Sequence, residues 1–309
     1  MKIDVIIPIY KPGDGLFSLL DRLEAQSVPV NKIILMNTEE KYFKELTAGK
    51  EFAVRYPNAE VHHIAREAFD HGGTRHQGVQ YSDADLFLCM TQDARPVDDR
   101  LVEKLTEHLC GRTAVAYARQ LPGEDSSEFE RASRNFNYPA QSRDKTLDDL
   151  ESMGIKTFFC SNVCAAYRRD IYEETGGFIR HAIFNEDMIY AAGAVKAGYA
   201  IRYEAQAQVI HSHQYTNMQQ LRRNFDLGVS QADHPEVFGE VSSESEGKQL
   251  VVQTWRYLKK RKLRRRFPGF CLQCGFKYAG YLLGRHYKKL PLSLVLKITT
   301  NREYWDRRE

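Results

Sequence analysis

An α/β domain built on a mostly parallel sheet flanked by helices, with a helical C-terminal extension, is predicted by three features of the 309-residue sequence. Short apolar runs alternate with segments of helical period through the first hundred residues, the pattern of βαβ units. The run Leu86–Met90 is apolar without a break, as expected of a strand buried on both faces. It ends in Thr91-Gln92-Asp93, and so delivers a carboxylate beyond the carboxyl end of a strand, where open α/β sheets bind their ligands. On that segment alone, Asp93 is equally a residue that begins a turn.

Residues 2–9 read as the first strand, closing in Pro8 and Tyr10. Leu16, Leu19, Leu20 and Leu23 fall at helical spacing and predict a helix over 15–26. A second strand covers 31–36 and runs out towards Glu39. A helix over 43–56 and a short strand over 59–64 follow. The Gly pair of Phe69-Asp70-His71-Gly72-Gly73-Thr74-Arg75 suits a tight turn or a close backbone approach, with a helix over 74–81 behind it. Helix 97–109 and strand 113–118 continue the alternation. Residues 120–157 are polar and irregular, which in a compact domain points to a functional loop. Asn185 reads as the N-cap of a helix running to about Gly198, and Glu186 and Asp187 suit the positive end of its dipole. Two short strands over 199–203 and 207–210 lead into His211-Ser212-His213 and a further helix.

Composition sets limits on function. Hydrophobic residues make up 42% and charged residues 28%, values of an ordinary globular chain, and the net charge of +3 is too small to make nucleic acid a general partner. The first residues form a strand and not a signal peptide, because Asp4 interrupts a short apolar run. No stretch approaches the roughly 18 uninterrupted apolar residues of a membrane span. The cysteine pairs Cys160/Cys164 and Cys271/Cys274 lack turn glycines and neighbouring histidines, so reduced cytosolic thiols are the reading rather than zinc.

Three polar clusters follow apolar segments: Thr91-Gln92-Asp93, Asn185-Glu186-Asp187 and His211-Ser212-His213. One assembly brings all three to a single edge of the sheet. There Asp93 and a histidine would hold Mg²⁺ or Mn²⁺, which accept carboxylate oxygens and leave positions for substrate phosphates. Asp187 is then either a general base or simply a first-turn acid. His211 and His213 are expected to point to opposite sides of the strand end, so that at most one is a ligand. Arg75 either meets a phosphate or is a solvated helix residue.

The ordered set resembles the family 2 glycosyltransferases with a GT-A-type fold, and more narrowly their bacterial rhamnosyltransferase branch. It is carried by Val5-Ile-Ile-Pro-Ile-Tyr10, Phe69 to Arg75, Thr91 to Ala94, Arg134 to Pro139, Ser161-Asn162, Gly176-Gly-Phe178, Asn185 to Asp187 and His211 to His213, across about residues 3–230. The resemblance implies an inverting, metal-dependent sugar transfer in which L-rhamnose passes from dTDP-rhamnose to a growing bacterial surface polysaccharide. It places Pro8, Tyr10 and Glu39 beside the nucleotide base, and Arg75, Gln92, Asp93 and Asn162 on the donor side. Asp93 would bind Mg²⁺ or Mn²⁺ with His211 or His213, since Gln92-Asp93 is a reduced form of the family's two-aspartate motif. Glu186 and Asp187 would be the catalytic acids, Asp187 deprotonating the acceptor hydroxyl. Residues 1–235 would form the catalytic domain, with 1–95 as the nucleotide-binding half and 96–235 as the acceptor-side half, and 236–309 the basic helical extension. A UDP-hexose or UDP-N-acetylhexosamine donor, and a non-catalytic nucleotide-sugar-binding module, are the alternatives.

Residues 256–266 hold eight basic residues and no acidic one, whereas the run from Glu236 to Glu246 is acidic. Basic and aromatic segments over 250–290 suit an anionic membrane surface, a helical appendage or homo-oligomer contact, or, least well, nucleic acid. The resemblance favours a cytoplasmic enzyme at the inner face of the cell membrane, with a lipid-linked glycan as acceptor.

Overall fold

The computed structural model describes residues 1–239 and 244–306, so the acidic run ending at Glu246 lies partly outside the described residues. Nine strands join in one sheet: β1 (Ile3–Tyr10), β2 (Lys32–Thr38), β3 (Ala59–Ile64), β4 (Leu86–Met90), β5 (Arg95–Pro96), β6 (Thr113–Leu121), β7 (Arg143–Lys145), β8 (Cys164–Arg168) and β9 (Ala200–Ile210). Their order is β3-β2-β1-β4-β8-β6-β9-β5, with β7 on β9. The first four strands are parallel. β8 then runs antiparallel between β4 and β6, and β9 returns parallel to β6. The sheet is therefore parallel in its first half and mixed in its second. The two short strands expected over 199–210 are one continuous strand, with a register shift opposite Ala118/Arg119.

The helices that matter for the site are α1 (Gly15–Glu24), α2 (His71–Gln80), α3 (Leu101–Thr106), α4 (Glu128–Asn137), α5 (Glu186–Lys196), α6 (Asn217–Asp233), α7 (Glu244–Lys260) and α8 (Phe267–Arg285). Two apolar layers cover the sheet. Leu16, Leu19, Leu20 and Leu23 of α1 pack with Val5, Ile7 and Leu88 on one face, and Ala191, Ala194 and Val195 of α5 join Phe87, Tyr167 and Tyr172 on the other. This two-sided burial is why β4 carries no polar residue between Leu86 and Met90.

Two expectations change here. Residues 120–157 are not one irregular loop: α4 lies inside it, capped by Ser127, whose hydroxyl accepts the Glu130 N–H at 3.1 Å. The Gly pair after Asp70 lies in the first turn of α2 and makes no tight turn, but the close backbone approach expected of it is present: a Cβ on Gly72 would stand 1.9 Å from the Ile179 carbonyl oxygen. The glycine buys close contact between α2 and the chain leading into α5.

The C-terminal helices are docked. α8 lies along α6 so closely that a Cβ on Gly280 or Gly284 would reach 2.1 Å from a carbonyl of α6. Phe225 and Val229 of α6 share a cluster with Tyr287, Val295 and Tyr304. Among the described residues no helix is long and apolar enough to cross a membrane.

Candidate functional site

Beyond β4 the chain turns back, the Ala94 N–H donating to the Thr91 carbonyl at 3.1 Å. Gln92 is spent on this corner. Its Oε1 accepts the Tyr10 N–H at 2.9 Å and its Nε2 donates to the Tyr10 carbonyl at 3.0 Å. The amide thus ties the ends of β1 and β4 together, and Gln92 also lines the cleft beside Asp93.

Asp93 points off the sheet edge. Its carboxylate lies 3.1 Å from His213 Nε2 and 3.5 Å from His211 Nε2, and the two ring nitrogens are 2.9 Å apart. The expectation that the rings diverge fails, because residues two apart in an extended chain share a face. Ser212 takes the other side, accepting the Gly123 N–H and meeting the Ser126 hydroxyl at 2.6 Å. Asp93, His211 and His213 are the group of potential metal ligands that converges among the described residues.

The ring of His211 is held from behind. Its Nδ1 lies 3.1 Å from Gln120 Oε1 and 3.2 Å from Arg134 Nη2. Together they fix the plane of the ring and turn Nε2 towards Asp93. Burial works against ionised Asp93, but the hydrogen bond and charge of His211, the Thr91 hydroxyl and His213 outweigh it and hold the carboxyl well below its usual range. Burial, then repulsion from His211, lowers His213 to about 4 despite the attraction of Asp93. Two imidazole nitrogens and a carboxylate thus converge on one point. That donor set fits a divalent cation, and without a proton or cation between them the lone pairs repel.

The second centre lies at the start of α5. Glu186 is buried and forms an ion pair with buried Arg75 at 3.1 Å, while Asn162 Nδ2 donates to the same oxygen at 3.1 Å. Arg75 also donates to the His71 carbonyl at 2.8 Å. The expectation that Arg75 meets a donor phosphate is therefore corrected: its guanidinium is turned into the protein. Glu186 is likewise enclosed by Arg75 and Asn162 and does not open on the cleft as a catalytic acid. The side chain of Asn162, expected on the donor side, is fully used, its Oδ1 accepting from the Tyr167 hydroxyl at 2.6 Å. Asn185 starts the helix with φ 65° and makes no side-chain cap; its Nδ2 donates to Ser230 Oγ at 3.1 Å.

Asp187 is half-buried. It accepts the Asn162 N–H at 2.9 Å and its neighbour Met188's N–H at 2.8 Å. Burial, with the negative charge of Glu186, pushes its carboxyl up to about 7, against the opposing pull of those N–H groups and Arg75. The two centres share a frame. Thr91 N–H donates to the Val163 carbonyl at 3.2 Å, one residue from Asn162. Gln120 Nε2 donates to Ser161 Oγ at 2.9 Å while its Oε1 holds His211.

Pro8 and Tyr10 stand half-buried at the end of β1, and the Tyr10 ring meets Tyr42 edge-on at 5.7 Å. Glu39, at φ 63°, pairs with Lys41 at 2.7 Å. Two clefts flank the Asp93 centre. One of about 440 Å³ lies against the N-terminus of α1 and is lined by Gly13, Leu16, Asp93 and Arg95. The other, of about 610 Å³, opens beyond His213 between α4, α6 and α8. Gln120, Glu130, Arg223 and Lys277 belong to this region, yet nothing in the sequence singles them out: each is one polar residue among many in a segment without a motif.

The chain is similar to known proteins along nearly its whole length. The family model "Glycosyl transferase family 2" matches residues 4–176. The O-antigen chain rhamnosyltransferase RfbN of Salmonella typhimurium is 36% identical over 311 residues, covering 99% of this chain and 96% of that protein. The O-antigen chain rhamnosyltransferase WbaN of Salmonella anatum is 37% identical over 248 residues, 79% of this chain and 78% of that one. Among solved structures, the mannosyltransferase PcManGT from Pyrobaculum calidifontis, in complex with GDP-Man and Mn²⁺, superposes with a TM-score of 0.62 at 11% identity, covering 93% and 88% of the two chains. S. aureus TarS 1-349 with UDP-GlcNAc gives 0.52 at 13% identity, covering 94% and 92%. At such identities the structural likeness speaks for the fold, which is that of GT-A glycosyltransferases.

Proposed function

The chain belongs to glycosyl transferase family 2, and from that premise we propose that it transfers L-rhamnose from dTDP-rhamnose to a growing bacterial cell-surface polysaccharide, with inversion. Support for the sugar comes from 36% identity to an O-antigen rhamnosyltransferase over 99% of the chain. Support for the chemistry comes from one observation above the rest: Asp187, alone of the two adjacent acids, keeps no cationic partner and has its carboxyl raised to about 7.

The acceptor oxygen attacks the anomeric carbon in line as the bond to the nucleoside diphosphate breaks. Asp187 takes the hydroxyl proton. A base near 7 is better matched to this task than an ordinary carboxylate, because about half of it is ionised at neutral pH and it still holds the proton it accepts. The Asn162 and Met188 N–H groups fix the orientation of both its oxygens. Asp93, His211 and His213 are the residues that would hold a divalent cation. When bound, such an ion supplies positive charge against the departing diphosphate. Two imidazoles in the donor set favour Mn²⁺ over Mg²⁺, which prefers oxygen.

The acceptor is a lipid-linked glycan in this reading. What supports it is an apolar groove of about 620 Å³ between α6, α7 and α8, lined by Leu227, Leu250, Val251, Tyr278 and Tyr281. It shares Ser133, Asn137 and Lys277 with the polar cleft beyond His213. Exposed Trp255, Leu272 and Tyr278, near the basic run, would rest on the inner face of the cell membrane.

The direct test is thermal unfolding with a panel of nucleotide sugars and Mn²⁺, followed by transfer assays with the stabilising donor. dTDP-rhamnose should raise the midpoint in a metal-dependent way. Stabilisation and turnover by a UDP-sugar in its place would replace the donor assignment.

A further inference from the structure

The cleft beyond His213 is lined by three cations, two of which have no anionic partner among the described residues. Arg134 of α4, Arg223 of α6 and Lys277 of α8 all line it, together with Glu130, Asn137, Gln220 and Gln273. Arg134 is committed to Gln120, to His211 and, at 3.8 Å, to Glu130. Arg223 lies over the rings of Tyr215 and Phe184, 4.8 and 5.3 Å from their centroids. These cation–π contacts hold the guanidinium in place and require none of its N–H donors. Among the described residues neither Arg223 nor Lys277 makes an ion pair or a hydrogen bond to protein. The acids nearby do not answer this charge. Glu130 already accepts the His213 N–H at 3.0 Å, and Asp125 is exposed at the rim.

Bringing like charges together in a partly enclosed cleft is unfavourable unless an anion completes the group. Lys277 feels this directly: burial, and then the facing Arg223 and Arg134, lower its pKa, with Cys274 and Glu130 acting the other way. The same cleft has His213 in its wall, so an anion held there stands against the Asp93 centre. Diphosphate carries the charge, and enough acceptor oxygens, to meet a planar guanidinium and an ammonium at once.

Resting on the nucleotide-sugar reading above, we infer that Arg223 and Lys277 form a diphosphate-binding subsite, which takes the phosphates of the donor on the side of the centre away from α1. As the glycosidic bond to the diphosphate breaks, the oxygen that leaves becomes negative, and these cations face that charge. The C-terminal helix α8 is then part of the donor site and not a removable appendage.

Calorimetric titration of the full chain with dTDP, thymidine and inorganic pyrophosphate, with Mn²⁺ and separately with chelator, tests this. Arg223→Gln and Lys277→Met should each weaken dTDP binding roughly tenfold, the loss expected for one charge-assisted contact. Thymidine binding should not move, and Lys277→Arg should recover most of the affinity. Thermal unfolding establishes that each variant is folded. Unchanged dTDP affinity in folded variants overturns the inference. So does a rise in acceptor KM with the dTDP affinity kept, which would assign the cations to an anion on the acceptor. Wild-type protein that binds no nucleoside diphosphate overturns the donor reading and this subsite with it.

Discussion

Glu186 and Asp187 are neighbours in the sequence and opposites in their surroundings. Glu186 is paired with Arg75 at 3.1 Å and held below its usual range by Arg75, His71 and Asn162 in spite of its burial, whereas Asp187 has only backbone N–H donors and is pushed up to about 7. The charge that one acid keeps is part of what raises the other. Pairs of titratable groups driven apart in this way mark acid–base assignments. Asp187→Asn should therefore abolish transfer, with a fall in kcat on the order of 10²–10⁴-fold for loss of a general base. dTDP-rhamnose affinity, measured by titration, should stay near the wild-type value. Turnover that survives the substitution would remove Asp187 from the mechanism.

A raised carboxylate also fixes the pH dependence. The folded-state pKa of Asp187 lies above its ordinary 3.8, so between about pH 4 and 7 the folded chain holds a proton that the unfolded chain has lost. The stability contribution of this group is present at low pH and is lost as the pH rises through about 7. Activity runs the other way, since the base works when ionised. kcat should climb to a plateau with a midpoint near 7. Asp187→Asn should unfold at a higher temperature than the wild type at pH 8, by more than at pH 5. A rate flat from pH 5.5 to 8.5, with chemistry shown to limit turnover, would contradict the assignment.

The cation centre makes a separate prediction through a residue that touches no ion. Gln120 Oε1 lies 3.1 Å from His211 Nδ1 and helps hold the ring with Nε2 turned to Asp93. Gln120→Leu should weaken Mn²⁺ binding by roughly 10- to 100-fold, the range for loss of such a support. His213→Ala should do at least as much. Manganese titration followed by electron paramagnetic resonance reads both effects without an activity assay. Wild-type turnover indifferent to chelator and to added Mn²⁺ would end the metal reading altogether.

The sheet and the place of Asp93 beyond the end of β4 were legible in the sequence because both follow from local pattern. Leu86–Met90 is apolar because it is buried on both faces, and Asp93 stands where such a strand must end. What was not legible depends on partners distant in the chain. Arg75 looked like a phosphate ligand after a Gly pair, and only the packing of α2 on the chain before α5, allowed by Gly72, turns it inward to Glu186. Gln92 was read with Asp93, yet its amide is taken by the backbone of Tyr10, 82 residues away. The histidines are a different case. Their spacing alone places them on one face, because the side-chain period of an extended chain is two.

The Arg75–Glu186 pair carries the last prediction. Both side chains are nearly enclosed, at 6% and 7% exposed, and each has further hydrogen bonds, to the His71 carbonyl and to Asn162. Removing one partner leaves a buried charge uncompensated, a loss of about 3–5 kcal/mol. Arg75→Met should thus be strongly destabilising in denaturant unfolding. It should also disturb Asp187, because Glu186 would protonate more readily and its charge, which raises the neighbouring acid, would fade. The double variant Arg75→Met, Glu186→Gln should recover much of the stability, since no lone charge remains. If the single substitution is as stable as the wild type, the pair does not anchor the start of α5. If the double variant is folded and retains near wild-type turnover, then Glu186 serves as the support of this helix and has no part in the chemistry.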